Sequence, residues 1–261
     1  MPGMCVLALA WKAHPRWRVV LIGNRDEFHN RPTAALAPWS DSPLLGGRDM
    51  RAGGSWLATD GRGRFAALTN VRDPAVPAAG PSRGRLVAGF LHGSRDAAGH
   101  VDHLEACAGQ YAPFNLLLGD ARQALWLGNH PASRQTLTPG IHSLSNAALD
   151  TPWPKTQRLH KALEQWADRI DEDPTALWDV LADQQIAPDH DLPDTGVGLT
   201  LERTLSPVFI KGPRYGTRAS TLLAIQDNGA GFMIERRFGP DGRPEGRSHY
   251  RFDGQGQLFG A

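Results

Sequence analysis

The sequence predicts a layered α+β fold in which two antiparallel β-sheets pack face to face and pairs of helices cover them from outside. Apolar, β-branched runs recur as hairpins with short polar connections, which is typical of antiparallel sheets. Helical periodicity occurs in two pairs of segments placed between blocks of hairpins, an order that disfavours βαβ units and a parallel sheet. The runs are continuously apolar rather than alternating, so we expect strands that are buried on both faces.

The predicted strands begin with a hairpin, because two apolar runs flank the short polar segment "KAHPR". The glycine-containing "GRG" and the polar "ARQ" separate the next two pairs of runs in the same way. In chain order the predicted strands span residues 4–11, 17–24, 55–60, 64–71, 114–120, 124–129, 140–146, 206–212, 218–227, 231–238 and 248–254.

Four segments have helical periodicity: residues 82–93, 99–109, 150–170 and 173–183. Asp150 or Thr151 would cap the third helix, with a proline near its first turn, and Asp173 would cap the fourth. The apolar residues expected to face the core are Leu86, Val87, Phe90, Leu91, Leu159, Leu163, Trp166, Ile170, Leu177, Trp178 and Leu181. Segments rich in proline and glycine at 73–84 and 187–198 are predicted to be surface loops.

The composition indicates one globular domain spanning residues 1–261, since no repeat, low-complexity tract or clear linker divides the chain. A net charge of +1 argues against a nucleic-acid or anionic-membrane partner. Two cysteines, Cys5 and Cys107, are too few for a disulfide framework and favour a reducing compartment. The apolar stretch at 4–11 is too short to span a bilayer and lacks the flanks of a signal peptide, so we expect a cytoplasmic protein.

The densest polar cluster, "GNRDEFHNRP" at Gly23–Pro32, comes directly after an apolar strand. A charge cluster in this position is most often a solvated turn. Here, however, Arg25 and Asp26 would lie one hairpin away from Cys5, on the neighbouring strand. A guanidinium beside a thiol lowers the pKa of the thiol, and a carboxylate can orient an amine, so the cluster is also a candidate catalytic group.

Three further polar residues stand at predicted strand boundaries. Asn70 ends "LTN" and Asn146 ends "SLSN", and amide groups aimed at a common point would form an oxyanion hole. Asparagine also favours the turn after a strand for purely local reasons. Arg218, at the start of a strand after a glycine turn, is equally open to a structural or a catalytic interpretation.

The opening "MPGMC" leaves two interpretations of Cys5. If translation starts at Met4 and this residue is trimmed, Cys5 becomes the first residue and carries both a thiol and a free α-amine. It is then a nucleophile with a built-in base. If translation starts at Met1, Cys5 keeps an acylated nitrogen and is a small apolar residue at the front of a strand.

Taken together, these stretches resemble the NRDE family, also called the transport and Golgi organisation protein two family. The matching motifs run in order over nearly the whole chain: "MC" at 4–5, "NRDEFHNRP" at 24–32, "GGSWLA" at 53–58, "AALTN" at 66–70, "FNLLLGD" at 114–120, "LTPGIHSLSNA" at 137–147, "TPWPK" at 151–155 and "YGTRAS" at 215–220. The family is similar to the N-terminal nucleophile hydrolases, and the resemblance therefore implies their four-layer αββα sandwich.

The resemblance also implies a reaction, the hydrolysis of a linear amide carbon–nitrogen bond, with no required cofactor and no metal. The catalytic residues carried over by motif are Cys5, Arg25, Asp26, Asn70, Asn146 and Arg218. The residues expected to contact substrate are Asn24, Glu27, Trp56 and Trp153.

The alternative implied by the same resemblance is a non-catalytic carrier, because the family is associated with haem mobilisation and with acyl-CoA or lipid homeostasis. The sequence has neither a Cys-Pro haem-regulatory pair nor a CxxCH attachment motif. "HVDH" at His100–His103 has a helical spacing that metals use, but no further ligand cluster accompanies it. Both interpretations predict a small-molecule ligand, with no nucleic acid and no integral membrane segment.

Overall fold

The computed structural model describes residues 4–77 and 79–260, and within them the strands form two seven-stranded antiparallel sheets. In spatial order the first sheet comprises β10 (Gly140–Leu144), β1 (Met4–His14), β2 (Trp17–Phe28), β11 (Tyr215–Ile225), β12 (Ala230–Phe238), β13 (Pro244–Asp253) and β14 (Leu258–Gly260). The second sheet follows chain order: β3 (Thr33–Pro38), β4 (Leu45–Asp49), β5 (Leu57–Thr59), β6 (Phe65–Asn70), β7 (Phe114–Gly119), β8 (Ala124–Asn129) and β9 (Ala132–Thr136).

The helices flank the sheets and are short. They are α1 (Gly84–His92), α2 (Ala97–Glu105), α3 (Pro154–Ala167), α4 (Trp178–Leu181) and α5 (Leu199–Leu205). Single 3₁₀ turns occur at Ala108–Gln110, Pro174–Leu177, Asp189–Asp191 and Pro240–Gly242. Among the helices described, none has the length and apolar character needed to cross a membrane.

Three apolar layers hold the architecture together, and alternate residues of β1 supply two of them. Leu7, Leu9 and Trp11 face the second sheet and form the inter-sheet core, whereas the intervening Val6, Ala8 and Ala10 pack against α3 and α4. On the far side, α1 and α2 cover the outer face of the second sheet. The layer order is helix, sheet, sheet, helix, which confirms the predicted α+β sandwich.

The β1–β2 hairpin positions the polar residues at the end of the first sheet. Cys5 lies directly opposite Arg25, and Met4 lies opposite Asp26. On its other side β2 pairs with β11, where the register shifts by one residue between Thr217 and Ala219. The predicted neighbouring placement of Cys5 and the arginine–aspartate pair is therefore confirmed.

The third predicted helix is shorter at both ends than residues 150–170. It begins at Pro154, after a non-helical Trp153, because Asp150 is engaged elsewhere: its carboxylate accepts hydrogen bonds from the Ser143 amide at 2.6 Å and from His142 Nδ1 at 2.9 Å. The helix ends at Ala167, so Ile170 is 57% exposed and the prediction that it faces the core was wrong.

Two other segments differ from prediction. Residues 173–183 form a 3₁₀ turn followed by a single α-helical turn, with Asp173 capping as predicted through a 2.8 Å bond from the Thr175 amide. Residues 206–212 are not a strand: the Phe209 amide donates to the Asp183 carbonyl and the Ile210 amide to Thr217 Oγ1. Residues 206–210 are buried against the first sheet. This burial explains why the segment is apolar although it is not a strand.

Candidate active site

A cavity of about 430 Å³ opens at the end of the sandwich where β1 and β2 meet the loops of the second sheet. Of the predicted site residues, six line it: Cys5, Arg25, Asp26, Glu27, Trp56 and Asn70. Their side chains come from β1, β2, the segment before β5 and the end of β6. Both sheets therefore contribute to one site.

The Cys5 thiol lies half-buried on the cavity wall and is held in its protonated form. Burial raises its pKa to about 12, and the neighbouring Asp26 carboxylate adds to the rise. The Arg25 guanidinium and the backbone N–H of Asp26 act in the opposite direction, since both stabilise a thiolate. As long as its nitrogen is acylated, Cys5 is thus a weak nucleophile at neutral pH.

Arg25 is fixed on three sides. Its guanidinium stacks over the Trp56 ring at 4.5 Å from the centroid, lies 3.6 Å from the Glu27 carboxylate and donates to Thr33 Oγ1 at 3.3 Å. These contacts hold a buried cation next to Cys5 and leave Trp56 as part of the cavity wall. Glu27 in turn accepts a hydrogen bond from the Phe28 amide at 2.9 Å, so the pair is rigid.

Asp26 is completely buried at the inner end of the cavity. One carboxylate oxygen accepts a hydrogen bond from Thr217 Oγ1 at 2.7 Å, while Oδ2 has no hydrogen-bond partner among the described residues. Burial raises the pKa of Asp26 to about 7, and the charge of Lys155 is the largest influence that opposes this rise. A buried carboxylate oxygen without a donor is costly, which marks this atom as a place for a cationic group.

Lys155, which the sequence did not single out as a site residue, is the second buried charge behind Cys5. It lies in the first turn of α3, is 2% exposed, and its Nζ makes no hydrogen bond within the described part of the chain. Burial lowers its pKa to about 8, with the Arg72 guanidinium acting in the same direction and Asp26 opposing it. A lysine in a first helical turn is ordinarily exposed, so neither its type nor its position predicted burial. Its place in the motif "TPWPK" was the only signal in the sequence.

Arg72 and Glu202 extend this buried network, which the sequence did not predict either. Arg72 Nη1 lies 2.5 Å from Glu202 Oε2, and both side chains are almost completely buried. Trp153, a predicted substrate contact, lies beneath the Arg72 guanidinium at 4.9 Å and is not on the cavity lining. Its ring therefore supports the network that surrounds Lys155.

The two predicted oxyanion asparagines are brought together by the fold. Asn146 Nδ2 donates to the Asn70 carbonyl at 2.8 Å, which places the buried Asn146 behind Asn70 on the cavity wall. Next to them, Ser145 Oγ lies 2.9 Å from the Cys5 carbonyl oxygen. This arrangement fixes the end of β6 against the end of β1.

The predicted site residues that are not on the cavity lining are Asn24, Asn146, Trp153 and Arg218. Asn24 lies on the outer face of the first sheet, where its Nδ2 donates to the carbonyls of Leu181 at 2.9 Å and Val208 at 2.8 Å. Arg218 holds the chain after β2, because its Nη1 donates to three carbonyl oxygens of the turn. These acceptors are the carbonyl oxygens of Phe28, His29 and Arg31, at 3.0, 3.1 and 3.2 Å.

Three further arginines line the cavity that sequence reasoning did not identify. Arg31 is paired with Asp49 at 2.7 Å, whereas Arg51 and Arg83 come from the loops at the rim and the start of α1. Arg83 donates to the Pro113 carbonyl at 2.9 Å, and its charge interacts favourably with Cys5 and Glu27. With Arg25, these residues bring the guanidinium groups of the described lining to four, alongside the carboxyl groups of Asp26, Glu27 and Asp49.

Comparison with known proteins places the chain in a family. The model of the family described as Transport and Golgi organisation 2 matches residues 4–240. The "Transport and Golgi organization 2 homolog" of Mus musculus is 32% identical over 256 residues, covering 89% of this chain and 92% of the relative. The homolog of Homo sapiens is 32% identical over 257 residues with the same coverage, and the Drosophila melanogaster protein is 27% identical over 285 residues, covering 97% and 99%. The chain belongs to the Transport and Golgi organisation 2 family.

Proposed function

We propose that this protein hydrolyses a linear amide carbon–nitrogen bond, with Cys5 as the nucleophile once its nitrogen is free. The observation that carries the proposal is the position of Asp26 relative to Cys5. The unpartnered, buried Oδ2 belongs to the residue that lies opposite Met4, directly before Cys5, in the β1–β2 register. A free α-ammonium on Cys5 would take up the position next to this carboxylate.

The reaction begins when the α-amine of Cys5 takes the proton of the thiol. The thiolate then attacks the amide carbonyl carbon, and the tetrahedral intermediate collapses as the α-ammonium protonates the leaving nitrogen. The products of this step are a free amine and a thioester on Cys5. Water then attacks the thioester, releasing a carboxylic acid and restoring the thiol.

The neighbouring residues supply charge and orientation for these steps. The guanidinium groups of Arg25 and Arg83 stabilise the thiolate and attract the carboxylate or phosphate group of an anionic substrate. Asn70 lies on the cavity wall, and in this proposal its amide stabilises the oxyanion. The charge of Lys155 opposes the effect of burial on the pKa of Asp26 and so favours the carboxylate form, which can hold the ammonium of Cys5.

The test compares two forms of the chain, one that begins at Cys5 and one that retains the preceding residues, each verified by intact mass. A panel of N-acyl amides with anionic and neutral acyl groups is assayed for release of the amine. We expect turnover only from the form that begins at Cys5, and its loss in Cys5→Ser, with Cys107→Ser as the matched control that keeps activity. Equal activity of the two forms, or activity in Cys5→Ser, contradicts the proposal.

A carrier function for acyl-CoA is the second candidate, and the four guanidinium groups of the cavity favour it. Phosphate groups pair well with arginine, so an anionic nucleotide-linked ligand suits this lining. Haem is less well matched, because the described lining residues include no histidine and Cys5 alone offers an axial ligand. Calorimetric titration with acyl-CoA and with haem tests the carrier function. Saturable binding that survives Cys5→Ser, without turnover of any amide, would favour it over the amidase.

A further inference from the structure

A second cleft lies on the outer face of the first sheet, on the side of β11 that faces α4. Its volume is about 480 Å³, within the range of ordinary small-molecule sites. Among the described residues, this cleft and the Cys5 cavity have no lining residue in common, so a ligand here occupies a separate site.

Aromatic side chains form much of the wall of this cleft. Phe209 and Phe238 meet edge to face with their ring centroids 4.8 Å apart, and Trp178 lies alongside. Trp178 and Phe209 are buried by the surrounding elements, and the buried Ser220 adds a hydroxyl-bearing residue to the lining. Such walls accept a flat apolar body, since aromatic rings prefer edge-to-face and offset contacts with one another.

The charged residues of the cleft all have the same sign. Lys211, Arg236, Arg237 and Arg247 line it, and the described lining contains no aspartate or glutamate. Arg236 and Arg247 lie directly opposite each other on β12 and β13, an arrangement of like charges that destabilises a sheet. Burial lowers the pKa of Arg236 and the charge of Arg247 lowers it further, whereas Asp179 opposes the change.

The Arg236 guanidinium is also fixed by contacts within the protein. It stacks over the Trp178 ring with its Cζ 4.3 Å from the centroid. A cation fixed over an aromatic wall, next to a second guanidinium, offers a planar donor pair to a carboxylate or phosphate. An anion bound between Arg236 and Arg247 would relieve their mutual repulsion.

We propose that this cleft binds a small organic anion that combines an aromatic body with a carboxylate or phosphate group. Phe209 and Phe238 contact the body, and Arg247 and Arg236, which is held over the Trp178 ring, take the charged group. The site is independent of Cys5 and of the chemistry proposed there.

The binding test uses isothermal titration calorimetry with 2-naphthoate and 2-naphthyl phosphate as probes. We expect saturable 1:1 binding of at least one of these probes, and the stronger one identifies the preferred charged group. Two comparators isolate the two halves of the ligand: 2-naphthylmethylammonium keeps the body and reverses the charge, and inorganic phosphate keeps the charge without the body. Binding of either comparator as tightly as the better probe overturns the proposal, as does the absence of saturable probe binding.

The location is tested with exposed residues, whose substitution leaves the fold intact. The double variant Arg236→Gln/Arg247→Gln is expected to weaken probe binding at least about tenfold, the effect of losing one charge-assisted contact or more. Arg251→Gln is the matched control, because Arg251 lies on the same strand and face as Arg247 and is also exposed, and it should change affinity less than about twofold. If Arg83→Gln abolishes binding and the double variant does not, the probe occupies the Cys5 cavity and the proposal is wrong.

Discussion

Replacing Asp26 with asparagine is expected to stabilise the protein increasingly as the pH rises from 4 to 7, while removing the activity proposed for Cys5. Asparagine fits the site because its Oδ1 still accepts the hydrogen bond that Thr217 Oγ1 donates at 2.7 Å. What the substitution removes is a carboxylate that is completely buried and has one oxygen without a hydrogen-bond partner among the described residues. Ionising this buried carboxyl group costs free energy in the folded protein, because burial disfavours its charged form.

The magnitude follows from the pKa of Asp26 in the two states. In the unfolded chain an aspartate releases its proton near pH 4, whereas burial raises the pKa of Asp26 in the folded protein to about 7. Between these values the folded state keeps a proton that the unfolded state has lost, so the free energy of unfolding decreases as the pH rises. Each pH unit corresponds to about 1.4 kcal/mol, and the whole interval of roughly three units to about 4 kcal/mol.

The assay is urea denaturation of the wild type and Asp26→Asn at half-unit steps from pH 4 to 7.5. The difference in unfolding free energy should be near its minimum at pH 4 and increase toward pH 7 in favour of the variant. Asp171→Asn, at an exposed position after α3, should instead run parallel to the wild type. A constant difference between Asp26→Asn and the wild type, or one that turns against the variant as the pH rises, would refute the reasoning about Asp26.

Three further predictions concern the same site, and a control substitution in α1 accompanies the last. Alkylation of Cys5 by iodoacetamide should be slow at pH 7 and accelerate up to the highest pH tested, because burial raises the pKa of the Cys5 thiol to about 12. Mass spectrometry of the Cys107→Ala variant measures this rate, and fast alkylation at pH 7 would contradict the prediction. In Lys155→Met, the rise of activity with pH on the acidic side should shift to higher pH by about one to three units, since without the nearby cation Asp26 stays protonated up to a higher pH. An unchanged pH dependence of activity would exclude the role given to Lys155. Gly47→Ala should destabilise the protein by about 1–3 kcal/mol in urea denaturation, because its Cβ would overlap the Trp56 ring. Gly89→Ala, whose Cβ meets nothing within 4 Å in α1, should be neutral or stabilising by up to about 1 kcal/mol.

The parts of the fold that could be predicted from the sequence depend on local patterns. The apolar face of residues 82–93 fixes α1, and the residues predicted to be buried, Leu86, Val87, Phe90 and Leu91, are buried. The first hairpin follows from two apolar runs with a short connection, and it brings Cys5 next to the strand that carries Arg25 and Asp26. In these cases the segment itself carries the information, through its periodicity or its turn.

Strands with weak apolar character could not be predicted in this way. All five residues of β9 are exposed, so neither alternation nor a continuous apolar run marks it, and its pairing with β8 defines it. Residues 206–212 show the opposite case, because an apolar run here packs as an irregular segment over the first sheet. Burial alone therefore does not specify a strand.

The faces of β2 were the main obstacle to predicting the site. A strand covered on both sides carries no alternation of apolar and polar residues, so the sequence does not reveal which members of Asn24–Glu27 face inward. The structure separates them: Arg25 faces the cavity next to Cys5, whereas Asn24 is bonded to the segments outside the sheet. Lys155 escaped prediction for a related reason, since its burial depends on how α3 docks on the sheet and not on its own helix pattern.

The electrostatics of the site make the group that precedes Cys5 decisive. With an acylated nitrogen, the thiol stays protonated. Asp26 Oδ2 and Lys155 Nζ are then buried atoms without a hydrogen-bond partner among the described residues. A free α-amine at Cys5 changes this in two steps. The neutral amine is the base that takes the thiol proton, and the ammonium that results gives Asp26 Oδ2 a cationic donor and stabilises the thiolate. Because each of these effects depends on the same amine, they are gained or lost together. In the proposed mechanism, the Cys5 cavity would therefore hydrolyse an amide only when the α-amine of Cys5 is exposed, and would otherwise only bind its ligand.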